Sequence, residues 1–392
     1  METWSTLQLV QEAEKSLGEE RAIDLGRYAK KLMDKGVAVV FNLSHLSKIT
    51  GVDHDALYKT VCRRRESSNY RLYRIRKRSG GVRFIHSVAA DLLRVQQFIN
   101  REILQKCQPH TSSFAFHPSG GIRKCASQHR GARWIFQFDL RDFFYSVNEV
   151  DCYRIFRAIG YSRILSFELG RICTTTHLPK INKKILHEVQ DLYFNLSETS
   201  PRYSYKKFHA YPGLRYYDLL GVLPQGAPSS PMLSNLAAAK LDEALHKFAL
   251  DKSFVYTRYA DDIAISGISL PPFMDRGSVC KEIVQLIRKT GFRENKKKIR
   301  VAGPGSRRTV LGLLVDGEQP RISNETYRRI DRYLYACKKY GLSATALHER
   351  FDSAFGFHNH LSGLIAFVKD VDPPRFENFI SRFRQIPIPW EV

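Results

Sequence analysis

Two adjacent aspartates, Asp261 and Asp262, stand between two runs of residues that each have the composition of a β-strand. These runs, residues 254–259 and 263–266, predict a tight hairpin hinged at residues 260–262. Adjacent carboxylates repel one another, so the pair is a poor choice for stability alone. A divalent cation removes that repulsion, and Mg²⁺ prefers carboxylate oxygen. The hairpin therefore constrains the fold, because the chain has to bring further ligands to this turn.

A third carboxylate, Asp139, lies near the end of another apolar segment, residues 134–140, which we predict to be a strand. Phosphoryl transfer with two metal ions requires ligands that bridge both ions, and a hairpin pair alone does not complete such a site. Asp139 would complete it if its strand lies beside the hairpin. Asp also suits ordinary turns, so an isolated Asp-Asp pair is more often exposed to solvent than catalytic. The motifs that accompany the three carboxylates decide between these interpretations.

The charge of the chain indicates what it binds. Lys and Arg number 62 against 39 Asp and Glu, which gives a formal net charge of +23. So large an excess attracts a polyanion, and nucleic acid is the first candidate. An anionic membrane surface is the weaker alternative, because no apolar run is long enough to span a bilayer.

Cysteine spacing and the first residues bear on the compartment. The seven cysteines are scattered without a CxxC spacing, which argues against a disulfide framework and against a zinc site. Residues 1–10 lack the basic start and apolar stretch of a signal peptide. We therefore expect reduced thiols and a cytoplasmic protein.

Periodicity predicts mixed helices and strands along the chain. Residues 1–60 are predicted to form short helices, and residues 43–61 match either a helix-turn-helix or two plainly packed helices. The basic, tyrosine-containing stretch 63–83 is predicted to supply a strand and a Gly-containing turn before a second strand. A buried strand is predicted at 310–315, and an insertion or surface loop at 177–222. Longer helices are predicted at 89–105, 148–158, 231–250, 276–290 and within 324–384.

Five segments, in order, resemble the motifs of reverse transcriptases. They are FDLRDFF at 138–144, LPQGAPSSP at 223–231, YADD at 259–262, FRENKKK at 292–298 and LGLLV at 311–315. Within that family the chain most resembles bacterial retron-type enzymes, which carry an NAxxH motif before the first aspartate. Here residues 125–129 read CASQH, with Cys125 in place of Asn, and residues 310–312 read VLG where those enzymes have VTG.

The resemblance implies an α+β fold of the right-hand polymerase type, with fingers and palm (an antiparallel sheet) and a helical thumb. The corresponding divisions are an N-terminal helical region at 1–60, fingers and palm at 61–320 and the thumb at 321–392. The implied activity is RNA-directed DNA synthesis with two Mg²⁺ ions and dNTPs. Retron-type enzymes further imply a structured noncoding RNA as template and primer, priming from an RNA 2′-hydroxyl and an RNA-linked DNA product. They also imply antiphage defence with a separate effector protein, and no membrane.

The resemblance assigns roles residue by residue. The catalytic, metal-binding set is Asp139, Asp261 and Asp262, with the backbone carbonyl of Leu140 as a further ligand. The nucleotide-binding set is Arg83, Phe144, Gln225, Gly226 and Lys298. The primer and template set is Tyr259, Leu311 and Gly312. Phe144 falls where the family holds an aromatic ring against the sugar 2′ position, and the alternative for it is a core phenylalanine. His129 stays outside these sets, because a lone histidine is more often structural than functional.

Four alternatives remain at this point. An RNA-directed RNA polymerase shares the two-metal chemistry but usually has Gly before the Asp pair. A group II intron-like enzyme or an abortive-infection reverse transcriptase would keep the same carboxylates. A non-catalytic nucleic-acid-binding regulator would explain the net charge of +23 but not the ordered motifs.

Overall fold

The computed structural model describes residues 5–76, 81–179 and 220–388 of the chain. Contacts divide the chain into two compact units whose segments alternate along the sequence. The first unit comprises Met1–His117, Leu140–Leu245 and Val284–Asn295. The second comprises Pro118–Asp139, His246–Ile283 and Lys296–Val392. Most of the insertion predicted at 177–222 lies outside the described residues.

The first unit is mainly helical. Its helices, in chain order, are α1 (Thr6–Leu17), α2 (Glu19–Met33), α3 (Leu43–Thr50), α4 (His54–Val61), α5 (Glu66–Asn69), α6 (Ala90–Glu102), a 3₁₀ turn (Leu104–Lys106), α8 (Glu149–Ile159), α9 (Arg163–Ile172) and α10 (Ser230–Ala237). The predicted pair at 43–61 is present as α3 and α4, joined through the left-handed Gly51. Half of α4 is buried, and its exposed residues are His54, Asp55 and Lys59. That surface is not strongly basic, so the pair fits plain packing.

The first unit also contains a two-stranded antiparallel ribbon. Strand β1 (Tyr70–Arg76) pairs with β2 (Val82–Val88), so the strands predicted in the basic stretch are confirmed. Most of β1 is exposed, whereas Tyr70 at its start and His86 on β2 are buried. The ribbon therefore projects cationic side chains while its base is fixed in the core.

The second unit is built on a four-stranded antiparallel sheet. Its strands are β3 (Trp134–Asp139), β4 (Val255–Tyr259), β5 (Asp262–Gly267) and β6 (Arg300–Ala302), in the order β4-β5-β3-β6. The strand predicted to end near Asp139 thus lies beside the predicted hairpin, since β3 pairs directly with β5. Strand β4, which leads into the turn, is at the edge of the sheet.

Helices complete the second unit. Helix α7 (Ile122–Ser127) packs on the sheet, and four helices follow it, α13 (Asn324–Tyr340), α14 (Leu342–His348), α15 (Ala354–Lys369) and α16 (Pro373–Arg384). The apolar faces of these helices form one core with residues of β3 and β5 and with Val310, Leu313 and Val315. Two helices contain residues of both units, α11 (Ala239–Asp251) and α12 (Arg276–Lys289). None of the helices in the described ranges has both the length and the apolar character needed to cross a bilayer.

Two predicted elements differ from the structure. Residues 310–315 form a hairpin rather than one strand, because Leu311 and Gly312 both have positive φ and turn β7 (Thr309–Val310) back onto β8 (Leu313–Leu314). The helix predicted at 231–250 is two helices, α10 and α11. Ala238 separates them, with φ −80° and ψ 1°. The mixed α and β architecture with antiparallel sheets is confirmed.

Candidate active site

The hairpin of β4 and β5 presents two of the three predicted carboxylates. Tyr259 pairs with Asp262, so the loop between the strands is only Ala260 and Asp261. Ala260 has φ 57°, a left-handed value that costs a residue with a side chain roughly 1 kcal/mol or more. Asp262 belongs to β5 rather than to the hinge, which shortens the predicted turn by one residue. The hairpin therefore holds one carboxylate in the turn and one on the strand.

The sheet brings the third carboxylate to the same face. Asp139 and Asp262 are direct partners in the β3–β5 ladder. Because residues directly opposite in an antiparallel pair point to the same face, Asp139, Asp262 and Tyr259 share one side of the sheet. The side chain of Asp139 is largely buried, and Asp262 reaches solvent. The condition set by the sequence analysis, that the strand of Asp139 lies beside the hairpin, is thus confirmed.

Lys298 forms an ion pair with this group. It ends the 3₁₀ turn Lys296–Lys298, and its Nζ lies 2.5 Å from Oδ2 of Asp139. Burial lowers the pKa of Lys298, but the hydrogen bond and ion pair with Asp139 outweigh it and raise that pKa. Of the three consecutive lysines at 296–298, the structure therefore assigns the carboxylate contact to Lys298.

The three carboxylates repel one another. Burial, together with the charges of Asp261 and Asp139, raises the pKa of Asp262 to about 6, although Lys298 acts in the opposite direction. Within the described ranges no three Asp, Glu, His or Cys side chains already converge as a metal centre. The donor set nevertheless fits a hard divalent cation, because it supplies carboxylate oxygens whose repulsion such an ion would remove.

A cavity of about 380 Å³ opens beside the carboxylates. Asp139, Asp262 and Lys298 line it together with Leu311 and Gly312, the turn of the β7–β8 hairpin. Gly312 has φ 83°, a value that favours glycine. The structure thus brings the predicted primer residues to the predicted metal ligands, with Tyr259 in the same lining.

Sequence reasoning missed other residues at this site. Gln137, Thr257 and Arg300 also line the cavity. Arg258 is fully buried, and its Nη1 donates to the carbonyl of Ala260 at 3.0 Å, which supports the strained turn. The sequence signal for Arg258 was a charged residue within the strand-forming run 255–259. A buried arginine requires hydrogen-bond acceptors around it.

The predicted nucleotide residues Gln225 and Gly226 lie in the first unit, against β2. The backbone N–H of His86 donates to the carbonyl of Gln225 at 2.7 Å. Gly226 has φ 117°, and a Cβ there would come within 2.6 Å of the His86 carbonyl oxygen. Only glycine therefore allows this close approach. Arg83 lies on the same strand β2, three residues before His86, and is exposed.

Phe144 and Leu140 also belong to the first unit. The ring of Phe144 is half-buried and lies 6.1 Å from that of Phe116 and 5.8 Å from that of Phe143. Leu140 directly follows Asp139, and its backbone pairs with Glu294. The second unit thus holds the carboxylates, Lys298 and the primer residues, and the first holds Arg83, Leu140, Phe144 and the 225–226 segment.

Comparison with known proteins decides the family. The family model described as reverse transcriptase (RNA-dependent DNA polymerase) matches residues 75–315, a range that contains every predicted site residue. The chain belongs to the reverse transcriptase family. The match includes both carboxylate-bearing strands, β3 and β5, and the β1–β2 ribbon from residue 75 onwards.

Curated relatives of this reverse transcriptase carry retron names. It is 27% identical over 353 residues to the Retron Ec86 reverse transcriptase of Escherichia coli, covering 90% of this chain and 91% of that protein. It is 27% identical over 314 residues to the Retron Mx65 reverse transcriptase of Myxococcus xanthus, and the alignment covers 80% of this chain and 64% of that protein. The Retron Mx162 reverse transcriptase of the same organism is 26% identical over 384 residues, and the alignment covers 93% of this chain and 71% of that protein. The predicted resemblance to retron-type enzymes is therefore confirmed.

Proposed function

We propose that this reverse transcriptase synthesises DNA on an RNA template with Asp139, Asp261 and Asp262 as its metal ligands. The observation that carries the proposal is the pairing of Asp139 with Asp262 across two neighbouring strands, next to a turn that holds Asp261. Together with the family match, this arrangement supports two-metal nucleotidyl transfer. Under this assignment, the four-stranded sheet of the second unit corresponds to the palm of the polymerase fold.

The protein residues would divide the work around the reacting atoms. Asp139 and Asp261 would hold both Mg²⁺ ions, with Asp262 and the Leu140 carbonyl in support. When bound, the ions activate the attacking hydroxyl and stabilise the leaving group. Lys298 would exchange its ion pair with Asp139 for the departing pyrophosphate, because its ammonium is charged and more than half exposed.

The first unit would supply the nucleotide contacts. Arg83 projects from the ribbon, where its planar guanidinium suits triphosphate oxygens. Gln225 and Gly226 would lie against nucleotide and template, and the ring of Phe144 would exclude a ribose 2′-hydroxyl. These roles correspond to fingers and palm over 61–320, preceded by a helical region at 1–60 and followed by a thumb over 321–392.

We further propose that the RNA is a dedicated structured noncoding RNA, because the chain resembles retron-type enzymes and its relatives carry retron names. Helix α13 supports an RNA-binding role with a stripe of three exposed cations, Arg328, Arg332 and Lys339, and one exposed aromatic, Tyr335. Nζ of Lys339 lies 5.9 Å from the Tyr335 ring centre. Cations neutralise phosphates and exposed rings stack on unpaired bases. Priming from an RNA 2′-hydroxyl, RNA-linked DNA and antiphage defence with an effector in the cytoplasm belong to the same proposal.

Primer extension on an RNA template tests the catalytic assignment. Asp261→Asn should reduce dNTP incorporation on the order of a thousandfold or more while leaving the melting temperature unchanged or higher. Asp331 is an exposed aspartate that pairs with Arg382 at 2.6 Å. Asp331→Asn is therefore the matched control and should behave as wild type. Near wild-type synthesis by the Asp261 variant would overturn the site. The same assay with rNTPs tests Phe144, since Phe144→Ala should raise their use relative to dNTPs.

RNA recovered from cells with the protein tests the retron-type proposal. We expect this RNA to outcompete an unrelated RNA of equal length at moderate salt, and DNA to be joined to it through a 2′-linkage. Arg328→Ala and Lys339→Ala should each lower the slope of log affinity against log salt by about 0.7 to 0.9. Equal affinity for both RNAs across the salt range would leave a general reverse transcriptase and remove the dedicated RNA.

A further inference from the structure

His129, the last residue of the CASQH segment, is buried on the catalytic face of the sheet. Its Nδ1 lies 2.7 Å from Oγ of Ser266 on β5, and its Nε2 lies 2.6 Å from Oγ1 of Thr257 on β4. The side chain is 1% exposed, and burial lowers its pKa to about 4. A neutral imidazole has one donor and one acceptor nitrogen, and both hydroxyls rotate to suit them. His129 therefore bridges the two strands of the hairpin.

The register places this bridge directly behind the carboxylates. Thr257 pairs with Ala264, one same-face row behind the pair of Tyr259 and Asp262. Ser266 lies one further row back. Same-face rows are about 7 Å apart, because two strand residues separate them. The Sγ of Cys125 also donates to Thr257 Oγ1, at 3.3 Å, so the segment around α7 is tied to β4 twice.

The position of β4 explains why such a tie matters. As the edge strand of the sheet, β4 has a ladder on one side only, to β5. It nevertheless carries Tyr259 and leads into the strained turn that contains Asp261. An edge strand is held less firmly than a central one. A buried hydrogen bond from His129, in the segment that follows α7, fixes the edge strand, and His129 does not line the cavity beside the carboxylates.

We propose that His129 is a positioning residue that holds the edge strand β4, and with it the turn of Asp261, in place for metal binding and catalysis. This inference rests on the proposed active site. The bond to Thr257 is the more important of the two, because Thr257 lies on the edge strand, whereas β5 already pairs on both sides. The position of the turn would then depend on a side chain that contacts neither metal nor substrate.

A positioning role can be distinguished from simple packing by substitutions that retain a hydrogen-bonding group at only one of the two nitrogen positions of His129. His129→Phe keeps a ring but removes both hydrogen bonds. His129→Gln extends an amide towards Thr257, and His129→Asn extends one towards Ser266. At a temperature where every variant is folded, His129→Phe should lower kcat about tenfold to a hundredfold with the dNTP KM unchanged within about threefold. His129→Gln should recover more of the kcat than His129→Asn.

Two further measurements complete the test, and the first of them does not depend on turnover. The Mg²⁺ concentration at half-maximal rise of the melting temperature should increase severalfold in His129→Phe. Thr257→Val should reproduce the kcat loss, and adding it to His129→Phe should bring little further loss, since both remove the same bond. Thr257→Val also carries the test if His129→Phe does not fold. Ile365→Val, a buried change in α15 of the same unit, is the stability control and should keep the wild-type kcat.

The outcomes are distinct. If folded His129→Phe and Thr257→Val both keep kcat within threefold of wild type, with the same Mg²⁺ midpoint, His129 is a core residue and the inference is overturned. If Asp261→Asn remains active, the proposed active site is wrong and this inference fails with it. Loss of activity in Asp261→Asn together with a wild-type kcat in His129→Phe overturns the positioning role alone.

Discussion

Each unit contains a cluster of carboxylates, and the surroundings shift the carboxylate pKa in opposite directions in the two clusters. In the first unit, Glu149 is fully buried between two arginines, with Arg63 Nη2 2.5 Å and Arg171 Nε 3.4 Å from its carboxylate oxygens. Burial by itself raises the pKa of Glu149, but Arg171 and Arg63 outweigh it and hold that pKa at about 2. Arg63 also pairs with Glu66 at 2.9 Å. Two acids and two arginines thus close the cluster.

The cluster of the second unit lies beside a cavity, and its members repel one another. Asp139 pairs with Lys298, while burial and the charges of Asp261 and Asp139 raise the pKa of Asp262 to about 6. A group of acids whose charge is balanced inside the protein stabilises the fold. Carboxylates whose mutual repulsion raises a pKa beside a cavity have the electrostatic character of a cation site. The difference supports the proposed metal ligands on grounds that are independent of any motif.

The closed cluster should be the more sensitive to loss of a charge. Glu149→Gln leaves Arg63 and Arg171 buried without their shared counter-ion, so we expect a loss of about 3 to 5 kcal/mol in the free energy of unfolding. The measurement is urea denaturation. Glu325→Gln, which breaks an exposed pair with Arg307, is the control and should cost about 0.5 kcal/mol or less. Equal effects of the two changes would contradict the contrast drawn here.

The pH dependence of stability separates the buried groups of the two units. The pKa of His129 falls from 6.5 to about 4 on folding, so the unfolded state binds more protons below pH 6.5. Stability present above pH 6.5 is therefore lost as pH falls towards 4, with a slope of up to about 1.4 kcal/mol per pH unit. Glu149, with a pKa lowered from 4.5 to about 2, contributes stability above pH 4.5 that is lost between 4.5 and 2.

Unfolding measured from pH 8 to 2 checks both ranges. The raised pKa of Asp262 changes stability in the opposite direction between about pH 6 and 4, so the quantity to compare is the difference in unfolding free energy between wild type and His129→Gln. As pH falls from 6.5 to 4, wild type should lose stability relative to His129→Gln, and below pH 4 the two should change in parallel. His348→Gln, a change at an exposed histidine, is the control and should follow wild type throughout. A difference between wild type and His129→Gln that stays constant from pH 6.5 to 4 would contradict the lowered pKa of His129.

The carboxylate cluster of the second unit should respond to Mg²⁺. An ion that binds only the folded state stabilises it by about 1.4 kcal/mol at ten times its dissociation constant. We therefore expect Mg²⁺ to raise the wild-type melting temperature and to have little effect on Asp262→Asn. Without Mg²⁺, Asp262→Asn should be about 0.5 to 1 kcal/mol more stable than wild type at pH 7, because solvent screens most of the repulsion that it relieves. A destabilised variant with an undiminished Mg²⁺ response would show that Asp262 is not a ligand.

Local sequence pattern predicted the hairpin, the strand of Asp139 and the β1–β2 ribbon, because alternation and turn residues act over a few positions. It failed at Leu311 and Gly312, where two residues of positive φ turn an apolar run into a hairpin. An unbroken apolar run does not show where the chain reverses. The same limit applies to Ala238, which divides a long helical pattern into two helices.

The sequence by itself determined the identity of the carboxylates, the order of the motifs and the family, since these depend on residue type and spacing. Tertiary structure decided that Asp139 lies opposite Asp262, that Lys298 rather than its two lysine neighbours reaches Asp139, and that His129 joins the strands of the hairpin. Those contacts join residues more than a hundred positions apart. Strand order and register create them, and a pattern that extends over a few residues carries no information about either.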